Sequence, residues 1–193
     1  MTQVIAIAGP PGAGKSTLAH ALAQMLGRAG VLEFDRYEQA TAHSVEDLGR
    51  WLREGADFNA LAAPGLRGDL ERLKGEPWAR RYLLFEMPLG REHAETAPLI
   101  DFLIWIDLPL DVALARKLGE LTNRALRSPA PDEHGRALAW LNGYLDSYLA
   151  VVREVLVVQN DRVRPGADLI VDGLADFPSL VAELAQLLRQ RLP

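Results

Sequence analysis

The sequence predicts an α/β fold, with a parallel sheet of about five strands and helices on both faces. Short apolar runs alternate along the chain with longer segments of helical periodicity. Strands separated by helices pair in parallel through right-handed crossovers. The chain has 193 residues, 49% of them hydrophobic, which is enough apolar material for one buried core. We therefore expect a single domain spanning residues 1–193.

The predicted strands are short and apolar. The runs YLLFE, residues 82–86, and FLIWID, residues 102–107, are continuous apolar stretches that end in an acid. Such runs are typical of strands buried on both faces of a parallel sheet. The other predicted strands are 3–8, 31–34 and 169–171.

Helical spacing of apolar residues marks the segments between the strands. In residues 15–27 it predicts an amphipathic helix that Gly27 ends. Ser44, three residues before Asp47, forms an imperfect capping box that predicts a helix over 44–53. The longest predicted helix has an apolar face that suits either the core or a second copy of the chain, made of Leu138, Leu141, Leu145, Leu149, Val152 and Leu156. The other predicted helices are 69–74, 110–121 and 179–192.

Charge and composition exclude several classes of function. The formal net charge is −5 and the pI is near 5.4, whereas proteins that bind a nucleic-acid backbone usually carry a basic face. No cysteine is present, which excludes disulfides and thiolate sites. The N-terminus lacks the basic region of a signal peptide, and Asp101, Asp107, Pro109 and Asp111 interrupt the most apolar segment. We expect a cytoplasmic monomer or homodimer that binds a small molecule and neither nucleic acid nor membrane.

The stretch GPPGAGKST, residues 9–17, lies between the first predicted strand and the first predicted helix. It satisfies the phosphate-loop pattern, with Gly9, Gly14, Lys15 and Ser16 at the required spacing. Glycines let backbone N–H groups turn inward around phosphates, the lysine reaches the β and γ phosphates, and the serine is a ligand for Mg²⁺. The predicted nucleotide-binding residues are Gly9, Pro10, Pro11, Gly12, Ala13, Gly14, Lys15, Ser16 and Thr17.

Five blocks of sequence, taken in order, resemble the uridine kinase, phosphoribulokinase and pantothenate kinase group. They are GPPGAGKS, FDRY, LLFEMPLG, DFLIWIDLPLDVALAR and PGADLIVDG. The base-reading motif of Ras-like GTPases and the LSGGQ signature of transporters do not occur. The resemblance implies the P-loop NTPase fold and an ATP- and Mg²⁺-dependent transfer of the γ-phosphate to a hydroxyl of a small metabolite. A nucleoside is the first expectation for the acceptor.

Asp35 follows the second predicted strand, where the resembled kinases carry an aspartate. The carboxyl ends of parallel strands face the ligand crevice, so this carboxylate is placed to accept or orient the proton of the acceptor hydroxyl. A turn-forming or helix-capping role is the alternative. Arg36 and Tyr37 are candidates to line the acceptor site, with plain surface roles as the alternative.

Glu86 ends an apolar strand and corresponds to an acidic residue of the resembled group, although Met87 replaces the glycine that usually follows it. A buried acid needs a partner. The candidates are Mg²⁺, an acceptor hydroxyl, or an ion pair with Arg91, which is itself a candidate substrate contact. Asp107 also ends a strand, and we expect it to cap the following helix.

A lid is expected at about residues 122–136, between the fourth strand and the last. The resemblance implies that lid arginines neutralise the phosphoryl group in transfer. Arg116 is the first candidate and Arg124 the second, among the basic residues Arg116, Lys117, Arg124 and Arg127. A solvated helix face is the alternative for each of them.

Two alternatives to a nucleoside kinase stay open. One is a kinase of an anionic acceptor, such as a nucleoside monophosphate or shikimate, for which Arg36, Arg67, Arg80, Arg81 and Arg91 could supply positive charge. The other is an NTPase controlled by a partner protein, which would hydrolyse ATP or GTP without an acceptor. Phe58 and Trp78 are candidates to stack on an acceptor ring, and the other tryptophans are expected to pack in the core or in grooves.

Overall fold

The computed structural model describes residues 1–37, 44–76, 78–127 and 131–192. Its centre is a parallel sheet with the strand order β2-β3-β1-β4-β5. The strands are β1 Gln3–Ala8, β2 Ala29–Glu33, β3 Tyr82–Glu86, β4 Phe102–Asp107 and β5 Leu169–Asp172. The expected α/β fold with a parallel sheet is therefore confirmed.

Seven α-helices lie in the described part of the chain, and a π-helical turn at Tyr148–Val152 joins the fifth to the sixth. They are α1 Lys15–Leu26, α2 Val45–Arg53, α3 Leu66–Lys74, α4 Leu110–Arg127, α5 Pro131–Ser147, α6 Arg153–Val163 and α7 Phe177–Arg191. Within these described ranges, no helix has both the length and the apolar character that crossing a bilayer requires.

Alternate side chains of each central strand enter two separate cores, one on each face of the sheet. Ile5 and Ile7 of β1 face the core that α1 and α7 cover. Val4 and Ala6 face the opposite core, which contains residues of α3 and α6 together with Trp105 of β4. Helices thus cover both faces, as continuous apolar strands require.

Strand order places the loop after β1 at the centre of the sheet's carboxyl edge. The chain passes from β1 to β2 on one side and later from β3 across β1 to β4 on the other. Ligands of open parallel sheets bind at such a reversal of strand order. The glycine-rich loop that follows β1 therefore occupies the expected position for a ligand site.

The capping box predicted for α2 is confirmed. The backbone N–H of Asp47 donates to the Ser44 hydroxyl at 3.1 Å, and the backbone N–H of Ser44 donates to the Asp47 carboxylate at 3.3 Å.

The helix predicted over residues 110–121 is too short, because α4 continues to Arg127. Residues 122–127 and 131–136 of the expected lid are therefore helical, and residues 128–130 lie outside the described residues.

The apolar face predicted for one helix over 138–156 is not continuous. Leu138 is 67% exposed and Leu149 is 81% exposed, whereas Leu156 is buried. The π-helical turn adds a residue, which rotates everything after it by about 100° relative to an uninterrupted α-helix. A strict helical spacing in the sequence cannot anticipate that rotation.

Candidate active site

The phosphate loop closes on itself between β1 and α1. The N–H of Ala13 donates to the carbonyl of Pro10 at 3.1 Å, and the ammonium group of Lys15 donates to the same oxygen at 3.3 Å. Gly14 caps α1 with a left-handed backbone at φ 88°. The loop therefore has the conformation in which the first amides of a helix are open to an anion.

The ammonium nitrogen of Lys15 lies 3.6 Å from Oε1 of Glu86. Both side chains are largely buried, and Oε2 of Glu86 has no hydrogen-bond partner among the described residues. Burial lowers the pKa of Lys15 although the Glu86 charge opposes the shift. Burial also raises the pKa of Glu86, against the effect of Lys15. The attraction between the two groups therefore does not fully offset the cost of burying either charge.

Asp35 joins this pair from the neighbouring strand. It lies in a short 3₁₀ turn, Phe34–Arg36, directly after β2, and is exposed while Phe34 is buried. Glu33 and Glu86 are register partners in β2 and β3, so the two strands end side by side. The Asp35 charge opposes the fall in the pKa of Lys15 and contributes to the raised pKa of Glu86. The structure thus brings Lys15, Asp35 and Glu86 together.

The other residues around Asp35 have protein partners. Glu33 accepts from the Arg36 guanidinium at 3.1 Å and lies 3.1 Å from Nε2 of His20. The hydrogen bond with His20 is the main cause of the lowered pKa of Glu33. Tyr37 donates its hydroxyl to Asp69 of α3 at 2.7 Å, and burial raises the pKa of Tyr37. The hydrogen bond to Asp69 therefore holds the Tyr37 side chain against α3, at the border of the site.

Helix α4 brings Lys117 to the phosphate loop, whereas the sequence favours its neighbour Arg116. Gly12 packs so closely on α4 that an added Cβ would overlap the carbonyl of Ala113 and lie 3.3 Å from the backbone nitrogen of Lys117. The charge of Lys117 contributes to the lowered pKa of Lys15. The two neighbours on α4 have different surroundings, since Lys117 acts on Lys15 whereas Arg116 bonds to the loop after β5.

The two arginines expected to neutralise the transferred phosphate, Arg116 and Arg124, are bound to other groups of the protein. Arg116 donates to the carbonyl of Gly173, in the loop after β5, at 3.1 Å. Arg124 pairs with Glu120 one turn earlier on α4, at 3.1 Å, and both are exposed. In this structure Arg116 therefore ties α4 to the β5 loop, which corrects the expectation that it faces the transferred phosphate.

Arg91 does not reach the phosphate loop. Its guanidinium donates to the Asp168 carboxylate at 2.6 Å and to the Gly166 carbonyl at 2.8 Å. Asp168 also accepts from the backbone of Leu103, so the pair lies at the amino ends of β4 and β5. The substrate contact expected for Arg91 and its ion pair with Glu86 are both corrected, because a turn after β3 returns the chain to the far edge of the sheet.

Ion pairs occupy Asp107 and two of the arginines expected at an anionic acceptor, Arg67 and Arg80. Asp107 pairs with Arg164 at 3.2 Å rather than capping α4. Arg67 and Arg80 are bound to Glu71 and Glu76, each at 2.9 Å. Of the aromatic candidates, Phe58 is buried in the core, and Trp78 is 75% exposed at the amino side of β3. These two rings are therefore not placed to stack on an acceptor beside Asp35.

A cavity of about 630 Å³ opens beside the phosphate loop. Its lining includes Pro10 of the loop, Trp105 and Asp107 of β4, Asp172 of β5 and Leu174. Trp105 is buried, and its indole N–H has no partner within the described ranges. The cavity combines apolar walls with a few polar groups, as small-molecule sites do.

Comparison with known proteins identifies the class of this site. The model of the ATPase family associated with various cellular activities (AAA) matches residues 5–58. A shikimate kinase from Corynebacterium efficiens is 31% identical over 137 residues, which cover 70% of this chain and 76% of that protein. The chain belongs to the phosphate-loop small-molecule kinase family. It is an ATP-dependent small-molecule kinase.

Other members of this kinase family match along most of the chain. A cytidylate kinase from Halobacterium salinarum is 28% identical over 183 residues, covering 90% of this chain and 88% of that protein. The solved shikimate kinase from Acinetobacter baumannii in complex with shikimate superposes with a TM-score of 0.56, at 17% identity, covering 99% of this chain and 95% of that one. The kinase fold thus extends over the whole described chain and not only over the phosphate loop.

Proposed function

We propose that this kinase transfers the γ-phosphate of ATP to a hydroxyl group of a small metabolite, with a nucleoside as the first candidate acceptor. The observation that carries the proposal is the convergence of Lys15, Asp35 and Glu86 at the carboxyl edge of the sheet. A carboxylate beside the position of the γ-phosphate can orient an acceptor hydroxyl and accept its proton.

ATP would lie along the carboxyl edge with its phosphates in the loop. The backbone N–H groups at the start of α1 and the Lys15 ammonium would hold the phosphates. The cavity that includes Pro10 and Leu174 has room for the nucleoside part of ATP. Arg116 would hold the loop after β5 against this part through the Gly173 carbonyl.

Transfer would proceed from the side of Asp35. The acceptor oxygen forms a bond to the γ-phosphorus while the bond from phosphorus to the β–γ bridging oxygen breaks, and ADP leaves. The acceptor proton passes to the Asp35 carboxylate. Lys15 and Lys117 would neutralise the charge on the transferred group, and Arg124 of the lid is the next cation along α4.

The residues at the loop fit a magnesium ion. Ser16 is exposed in the first turn of α1, and Glu86 offers a buried oxygen without a partner in the described structure. Mg²⁺ prefers oxygen ligands and usually keeps several waters besides one or two protein oxygens and the phosphates. Ser16 and Glu86, directly or through water, would hold the ion, which when bound supplies charge neutralisation between the β and γ phosphates.

A kinase of an anionic acceptor is the second candidate, and the names of the relatives favour it. Both shikimate and cytidylate are anions, and kinases of each match most of this chain. The described surroundings of Asp35 favour it less, because Arg36 is bound to Glu33 and Arg91 lies at the opposite edge of the sheet. The two candidates therefore need to be separated by experiment.

The test measures ADP formation from ATP and Mg²⁺ with nucleosides, nucleoside monophosphates, shikimate, pantothenate and sugars as acceptors. We expect one nucleoside to raise the rate far above the background, and Asp35→Ala to remove that increase by a factor of about 10² to 10⁴. Glu71→Ala, which removes an exposed carboxylate from α3, is the matched control. Equal rates with and without every acceptor would overturn the proposal in favour of a partner-controlled NTPase.

A further inference from the structure

Three aromatic side chains follow one another along α5 into the π-helical turn. Trp140 and Tyr144 stack with ring centroids 4.9 Å apart and an interplanar angle of 8°, and the next ring, Tyr148, is 6.3 Å from Tyr144. We call these three residues the aromatic ladder. Trp140 is 46% exposed, whereas Tyr148 is buried, so the ladder leads from solvent into the protein.

The exposed end of the ladder lies against a charged face of α4, where Glu120 pairs with Lys117 at 3.6 Å and with Arg124 at 3.1 Å. Trp140 lines a cavity of about 230 Å³ together with Lys117, Glu120, Leu121 and Arg124. The backbone of Lys117 packs on Gly12 of the phosphate loop, and its charge acts on Lys15. This cavity is therefore next to the phosphate end of the site, whereas Arg116 points away from it to the β5 loop.

The buried end of the ladder lies beside α2. The π-helical turn that contains Tyr148 packs against α2. Among the described residues, α2 is the next α-helix after the turn that carries Asp35. The ladder thus runs from the charged face of α4 to α2, which follows the Asp35 turn along the chain. π-helical turns occur frequently at functional sites, where they redirect side chains.

We propose that the aromatic ladder forms one wall of the acceptor pocket and binds a planar ring of the acceptor, with Trp140 as the specificity-determining residue. An exposed indole next to the phosphate end of the site suits a flat ring, because such rings stack on aromatic faces. The two cations beside it, Lys117 and Arg124, are paired with Glu120. This inference rests on the proposed function. It replaces Phe58 and Trp78, which lie in the core and at the other edge of the sheet.

The test compares acceptors that differ in the planar ring. Uridine and cytidine carry one, ribose is the same sugar without it, and shikimate is an anion with a carbon ring that is not aromatic. We measure kcat and KM for each acceptor, and KM for ATP, in the wild type, Trp140→Ala and Trp140→Phe. Leu138→Ala removes another exposed apolar side chain from the same helix and is the matched control.

We expect uridine or cytidine to be phosphorylated in preference to ribose and shikimate. Trp140→Ala should raise the KM for that nucleoside about fivefold or more, because stacking of a base on an aromatic ring contributes at least that factor. Trp140→Phe should keep most of the affinity, and Leu138→Ala should change neither KM. The KM for ATP should stay the same in all four proteins.

Three results would overturn the inference in different ways. Preference for ribose or shikimate, with no effect of Trp140→Ala, would remove the ring-binding wall and leave the proposed kinase standing. Equal increases in the KM for ATP and for the acceptor would assign the ladder a structural role in the lid. Absence of phosphorylation of every acceptor would overturn the proposed function and this inference together.

Discussion

The ammonium nitrogen of Lys15 and the carboxylate oxygen Oε1 of Glu86 lie 3.6 Å apart, in largely buried surroundings at the phosphate loop. The pKa of Lys15 is lowered and that of Glu86 is raised, each mainly by burial. The attraction between the two groups therefore does not fully offset their removal from water. A protein that keeps such a pair sacrifices stability for a site that a nucleotide phosphate can complete.

The first prediction concerns the pH dependence of stability. Between the ordinary pKa of 4.5 and the raised pKa of Glu86, the folded protein holds a proton that the unfolded chain has released. The free energy of unfolding of the wild type therefore falls as pH rises through this window. Glu86→Gln stays neutral at every pH, so the variant should become the more stable protein as pH increases.

Urea unfolding of the nucleotide-free protein between about pH 4 and about pH 8 measures this difference. We expect nearly equal stabilities at the acid end and a growing advantage of Glu86→Gln toward neutral pH. Glu71→Gln removes an exposed carboxylate and corrects for the change in net charge. A difference that is independent of pH would contradict the raised pKa of Glu86.

The second prediction separates the two neighbouring cations of α4. Lys117 is half-buried, pairs with Glu120 at 3.6 Å and acts on the pKa of Lys15. The proposed function assigns it to neutralise the transferred phosphoryl group. Lys117→Met should lower kcat by about tenfold to a hundredfold and change the KM for ATP much less, because the interaction strengthens in the transition state. Steady-state kinetics with saturating acceptor provides the measurement.

The matched control is Arg127→Met, which removes an exposed cation near the end of the same helix. Its kcat should stay within about twofold of the wild type, since exposed charges on helices contribute little. If both variants lost the same fraction of kcat, the general positive charge of α4 would be responsible and not the position of Lys117.

The third prediction assigns Arg116 to nucleotide binding. Its hydrogen bond to the Gly173 carbonyl joins α4 to the loop after β5, beside the cavity next to Pro10. Arg116→Ala should raise the KM for ATP about tenfold while kcat at saturating ATP falls by less than about threefold. A large fall in kcat with an unchanged KM would restore the role in transition-state stabilisation that the sequence suggested.

The sequence alone predicts the sheet and the phosphate loop well, because both depend on local patterns. Strands β3 and β4 begin and end where the apolar runs do, since strands buried on both faces contain few polar residues. The loop motif spans nine residues next to β1, and its glycines act through backbone geometry while its lysine and serine act through side chains at fixed spacing. No contact with a distant part of the chain is needed to anticipate them.

Other parts of the site depend on contacts between distant segments and could not be predicted. Arg91 follows β3 closely in sequence, yet its partner Asp168 lies 77 residues away and holds it at the amino edge of the sheet. The sequence predicts that Trp140 packs in the core or in a groove, but it cannot show that residues of α4 form that groove with it. The π-helical turn at Tyr148–Val152 has no sequence signal of this kind, and it changes which side chains of α5 and α6 share a face.

The fourth prediction tests the contact that positions α4. Gly12 and Gly14 have similar positive φ angles, 80° and 88°. An added Cβ at Gly12 would overlap the Ala113 carbonyl, whereas a Cβ at Gly14 would have no heavy atom within 4 Å. Gly14→Ala should therefore lower the free energy of unfolding by the backbone strain alone, about 1–2 kcal/mol. Gly12→Ala should lower it by more than about 3 kcal/mol, because α4 must also shift.

Urea unfolding of both nucleotide-free variants gives the comparison, and the difference between them isolates the contact with α4 from the strain that they share. Equal losses in the two variants would mean that α4 adapts freely to the loop. A larger loss in Gly12→Ala would instead show that the close contact between this glycine and α4 stabilises the protein beyond the strain of the loop.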